Sequence, residues 1–179
     1  MIWKAKAHRS ERRALLDILV IGIGQGLRGD DRAGLDAVQY WQEKYPETAS
    51  QAGLRVALAE SPGLALLDLL HGAQAAILVD AVQSEAAPGT VHLLTPTNLN
   101  SFAGGSASAH GLGVAETLAI GNQLTPGELP GELVLIGIEA DSFEIGQGLS
   151  AAVQAAIPGA AQLIEAQVQR LLDRTWEGS

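Results

Sequence analysis

Gly22-Ile23-Gly24-Gln25-Gly26-Leu27-Arg28-Gly29-Asp30-Asp31-Arg32-Ala33-Gly34 follows the apolar run Ile18-Leu19-Val20-Ile21. A short apolar run that breaks into glycines and then into two adjacent aspartates reads as a strand–loop–helix junction, the place where open α/β sheets carry their chemistry. The spacing predicts a strand over 17–23 and a helix over 33–45, because Gly34, Val38, Trp41 and Tyr45 fall on one helical face. Pro46 is expected to end that helix.

Outward from this junction the chain keeps the same rhythm. Residues 54–59 alternate and predict a second strand, and Leu64, Leu67 and Leu70 mark a second helix after Glu60-Ser61-Pro62-Gly63. Residues 75–79 are continuously apolar, as a central parallel strand should be, with Asp80 expected to stop it. A fourth strand over 90–94 follows too closely for a crossover helix, so it is expected to run antiparallel. A polar, glycine-rich stretch over 95–108 reads as a loop, and a helix is predicted over 111–122. A buried fifth strand is expected over 133–138. Ser150 is read as the N-cap of a short helix ending at Pro158, and a last amphipathic helix follows, with Arg170 and Arg174 at its negative end.

Strand and helix in alternation, with one reversed strand, predict a three-layer α/β/α sandwich on a five-stranded, mostly parallel sheet. Right-handed crossovers favour the order 2-1-3-5-4. That order brings Asp31 and Asp80 to one edge of the sheet, at a switch point between strands one and three. The expected organisation is a basic extension over 1–16, one domain over 17–174 and a short tail over 175–179. A domain of this size buries roughly 70% of its unfolded surface.

Composition narrows the function classes. The 179 residues carry a formal net charge of −9 and no cysteine. The charge argues against a nucleic-acid surface, since the only basic cluster is Lys4, Lys6, Arg9, Arg12 and Arg13, which reads as a solvated tail. The missing cysteines exclude a disulfide framework, a thiolate metal site and a cysteine nucleophile, and fit a reducing compartment. No run approaches the ~20 apolar residues of a membrane span. A soluble, cytoplasmic, monomeric protein is expected.

Gly24-x-Gly26-x-x-Gly29 formally matches the dinucleotide fingerprint. Asp30 and Asp31 occupy the helix start that a pyrophosphate needs, and no acid lies ~20 residues on at the end of a second strand, so this reading is the weakest. There is no Gly-Lys-Ser/Thr phosphate loop and no Gly-x-Ser-x-Gly nucleophile elbow. Asp31, Asp80 and His110 each sit beside a strand end or helix start, and two carboxylates with one imidazole suit a borderline divalent ion with open positions. Bland readings stand beside this one. Asp30 and Asp31 also suit helix capping, Asp80 a turn and His110 a loop or cap. His8, His71 and His92 are read as tail, surface or packing residues.

Four segments together resemble the hydrogenase maturation proteases, endopeptidases that trim the C-terminus of the large subunit of nickel-iron hydrogenases. They are Ile21-Gly22-Ile23-Gly24 through Asp30-Asp31 and Gly34, then Leu78-Val79-Asp80-Ala81 with Pro88-Gly89-Thr90-Val91, then Ser108-Ala109-His110-Gly111-Leu112, and Gly137-Ile138-Glu139 with Ser142-Phe143-Glu144 and Gly148-Leu149-Ser150. The resemblance implies that Asp31, Asp80 and His110 are both the metal-binding and the catalytic residues. It also implies that the ion is nickel carried by the substrate, and that the partner is a large-subunit precursor. A non-cleaving, nickel-dependent chaperone is the alternative. Three departures stand out: Gln25 where relatives have asparagine, Arg32 where they have glycine, and 60–63 where Asp-Gly-Gly-Thr is common. Arg32 is expected to pair with Asp30 and leave Asp31 free, and the loop glycines are expected to make room for a partner chain.

Overall fold

The computed structural model describes residues 17–95 and 113–174. Five strands form one sheet in the order β2-β1-β3-β5-β4: β1 Ile18–Gly24, β2 Leu54–Glu60, β3 Ala75–Val82, β4 Val91–Leu94 and β5 Glu132–Glu139. β1, β2, β3 and β5 are parallel and β4 runs antiparallel to β5, as the short gap before it required.

Helices cover both faces. On one face lie α1 Ala33–Lys44 and the long α5 Ala151–Asp173, with Val38, Trp41, Ile157, Ile164 and Val168 packed on Ile18, Val20 and Ile77. A one-turn helix, α2 Pro46–Ala49, begins at the proline that ends α1, since proline at the first helical position loses no hydrogen bond. On the other face α3 Ala65–Leu70 and α4 Val114–Leu124 pack Leu66, Leu70 and Leu118 on Leu19, Ile21 and Leu78. The central strands therefore bury both faces, which is why 18–24 and 75–79 read as unbroken apolar runs.

The structure corrects three local expectations. β3 does not stop at Asp80 but runs to Val82, because its ladder with β5 continues through Asp80↔Gly137 and Val82↔Glu139. Leu66 and Leu70, rather than Leu64 and Leu67, are the buried leucines of α3, and Leu64 is 48% exposed. The helix predicted to end at Pro158 continues as one 23-residue α5. Proline removes one interior bond, but Pro158 faces solvent while the buried stripe of Val153, Ile157, Ala160, Ala161 and Ile164 runs past it. Ser150 caps this helix as expected, its hydroxyl accepting the Val153 N–H. No helix among the described residues is long and apolar enough to cross a membrane.

Candidate active site

The junction after β1 folds back on its own strand. A side chain at Gly24 would place its Cβ 2.0 Å from the Asp31 carbonyl oxygen, and one at Gly34 would meet the Val79 and Ile23 oxygens at 2.2 and 2.4 Å. These glycines make room for this chain's own backbone rather than for a partner, because the start of α1 is pressed onto the ends of β1 and β3. Residues Gly29–Arg32 form a short 3-10 helix leading into α1. Neither aspartate caps α1, whose N-cap position is Arg32.

On that 3-10 turn the two adjacent acids diverge. Asp30 is 1% exposed and turns into the protein. Its Oδ1 accepts the Ser150 N–H at 2.6 Å, and its Oδ2 accepts those of Asp141 and Ser142 at 2.8 and 3.2 Å. It thereby ties the loop after β1 to the loop between β5 and α5, a tie reinforced by Gly146 N–H donating to the Leu27 carbonyl at 2.9 Å. Arg32 does not pair with Asp30. Its guanidinium makes a fork with Asp36 one helical turn on, at 2.9 Å for both bonds, which raises its pKa.

Asp31 turns the other way, into a cleft of about 90 Å3 at the C-terminal edge of the sheet, where Asp80 also lies. Ile23, Leu66, Val114 and Phe143 wall the cleft, and Ser61, Pro62 and Gly63 edge it. Asp31 is 6% exposed. Asp80 is only partly exposed. Burial, then the facing Asp31 carboxylate, push the Asp80 carboxyl up to about 7, with the Ala81 N–H acting in the opposite sense. Two carboxylates in one apolar-walled cleft repel unless a proton or a cation sits between them, which makes the pair a ready acceptor for a positive charge.

His110 lies outside the described residues. Among the described residues, no group of three His, Asp or Glu side chains is arranged to hold a metal ion, so Asp31 and Asp80 stand there as a pair. Gly113, three residues after His110 in sequence, lines their cleft.

A third buried acid, beside Asp30 and Asp31, escaped the sequence reading. Glu139, 1% exposed at the end of β5, accepts the Ser84 N–H, the Ser84 hydroxyl at 2.9 Å and a bond with His92 Nε2 at 3.0 Å. His92 is thus neither a plain surface nor a packing residue, since it fastens β4 to β5. An acid closing an otherwise apolar strand was the available signal, for such a group must be satisfied by something. His71 is on the surface as expected, beside Glu128 at 3.5 Å.

The family model of hydrogenase maturation proteases (HycI) matches residues 56–167, a span that holds Asp80 and begins after Asp31. The chain is 29% identical over 155 residues to the hydrogenase 2 maturation protease of Escherichia coli K12, covering 85% of this chain and 90% of that protein. It is 30% identical over 131 residues to the hydrogenase expression/formation protein HoxM of Azotobacter vinelandii, spanning 72% of this chain and 60% of that longer protein. The solved structure of the hydrogenase maturating endopeptidase HybD from E. coli superposes with a TM-score of 0.74 at 26% identity, covering 87% of this chain and 94% of that one. The family model, the sequence relatives and the shared fold agree: this chain belongs to the hydrogenase maturation protease family.

Proposed function

We propose that the chain is an endopeptidase that removes a C-terminal extension from the nickel-loaded precursor of a nickel-iron hydrogenase large subunit. The observation that carries this reading is the pairing of Asp31 and Asp80 in one cleft at the switch point of the sheet, on a fold shared with maturation proteases. Nickel enters with the substrate. Asp31 and Asp80, joined by His110, grip that ion, and two carboxylates balance its charge. Burial and Asp31 raise the Asp80 carboxyl to about 7, so the cation competes with a proton for that site.

The bound ion either polarises the scissile carbonyl or activates a water for attack. The protein's share is positional. Asp30 locks the loop carrying Asp31 to the loop before α5, and the apolar walls of Ile23, Leu66 and Val114 lower the water content around the reacting bond. Incubation with purified nickel-loaded precursor, read by mass spectrometry, tests the reading. Loss of a C-terminal fragment is the expected result; tight binding with an untrimmed precursor would sink the protease reading in favour of a chaperone.

A further inference from the structure

The sheet order leaves β2 at one margin. In its register with β1, Ile18 N–H donates to the Gly53 carbonyl at 2.8 Å and Ser61 N–H donates to the Gly24 carbonyl at 3.1 Å. These bonds turn the main-chain groups of the odd-numbered residues toward β1. Val56, Leu58 and Glu60 therefore point their N–H and C=O groups outward, where no described residue bonds to them. Sheets ordinarily guard such an edge with proline, lysine or a bulge. Leu54-Arg55-Val56-Ala57-Leu58-Ala59-Glu60 contains none of these, its arginine is drawn aside to Asp17 at 2.8 and 3.1 Å, and Leu58 is left 45% exposed.

This edge, unpaired among the described residues, is continuous with the cleft. Glu60 passes directly into Ser61, Pro62 and Gly63 on the rim beside Asp31 and Asp80. Ser61 has φ of +45°, the one positive-φ residue other than glycine among the described residues. Strain of this kind persists where the surrounding structure fixes a functional turn.

We propose that the outer edge of β2 takes up the C-terminal segment of the substrate as an added strand and leads it into the cleft; this rests on the endopeptidase reading above. Six main-chain groups on Val56, Leu58 and Glu60 would bind about five residues of extended peptide, some 17 Å at roughly 3.3 Å per residue. Main-chain pairing recognises an extended chain of varied sequence, and Leu58 offers contact to one apolar side chain.

The test is amide exchange of residues 54–60 in the full chain with and without nickel-loaded precursor, alongside trimming kinetics of Leu58→Pro. Proline at 58 removes an outward N–H together with the leucine side chain, while the N–H and C=O groups that bond β1 belong to the odd-numbered residues and stay in place. Bound precursor is expected to slow exchange over 54–60 by about tenfold or more. Leu58→Pro is expected to raise KM at least about tenfold, with kcat within about threefold. Trimming by the wild type with unchanged exchange, and with Leu58→Pro at the wild-type KM, overturns the edge while leaving the protease reading intact. Failure of the wild type to trim overturns the protease reading, and exchange alone then decides the edge: protection supports it and no protection overturns it. Protection that appears without precursor, with a dimer mass in light scattering, assigns the edge to a second copy and overturns the proposal. If Leu58→Pro does not fold, the wild-type exchange decides.

Discussion

Replacing the adjacent aspartates one at a time by asparagine is expected to produce opposite defects. The Asp30 carboxylate accepts three backbone N–H groups, at 2.6, 2.8 and 3.2 Å, in a site 1% exposed. Asparagine keeps one oxygen. In its best orientation it retains the Asp141 and Ser142 donors and turns its NH2 onto the Ser150 N–H, donor against donor. One charge-assisted bond is lost, about 1.5–3 kcal/mol, and a buried donor is left unsatisfied, so Asp30→Asn should cost about 3 kcal/mol. For a domain of this size that lowers Tm by about 6–12 °C. Asp31→Asn leaves those three bonds in place and removes the charge that faces Asp80, so it should be less destabilising than Asp30→Asn while trimming is lost. Thermal melts by circular dichroism, with trimming assayed well below the melts, separate the two. An Asp30→Asn protein that melts with the wild type, or an Asp31→Asn protein as unstable as Asp30→Asn, would refute this division of labour.

Three further outcomes follow from the same geometry. The Asp80 carboxyl is raised from 3.8 to about 7, so the folded metal-free chain holds a proton that the unfolded chain releases, and stability falls as pH rises through that window. Asp80→Asn should therefore match the wild type near pH 4 and exceed it by up to about 4 kcal/mol above pH 8 in urea titrations; a difference independent of pH would contradict the shared cleft. Gly34→Ala forces a Cβ to within 2.2 Å of the Val79 oxygen, where only backbone can yield, and should cost about 3 kcal/mol or more by denaturant melt. Arg32→Ala breaks a half-exposed pair with Asp36 and should cost no more than about 1 kcal/mol by the same melt.

The fold was legible because its signals are local. Apolar runs bounded by glycine and proline mark the strands, and the short gap before 90–94 forces one strand antiparallel. Right-handed crossovers then leave few orders open. What escaped depends on contacts distant in sequence. β3 outlasts Asp80 because β5 pairs with it, and α5 outlasts Pro158 because its apolar stripe is continuous. At the site, Asp31 and Asp80 could be brought to one edge by strand order alone, and they do share a cleft. The divergence of Asp30 from Asp31 could not be read, because neighbours on a tight turn face opposite sides and only Asp141, Ser142 and Ser150 reveal which acid is structural. Glu139 was equally hidden, its partners Ser84 and His92 lying 55 and 47 residues away. Arg32 was misread because Asp36, one turn along α1, is a nearer partner than Asp30. His110 lies outside the described residues, and its place in the ion grip remains part of the proposal.

The most direct measurement is the mass of a large-subunit precursor, nickel-loaded or nickel-free, after incubation with the wild type and with Asp31→Asn, Asp80→Asn and His110→Ala. The account predicts loss of the C-terminal fragment only from the nickel-loaded precursor and only with the wild type. Equal trimming of the nickel-free precursor, or trimming at the wild-type rate by either carboxylate variant, would contradict it.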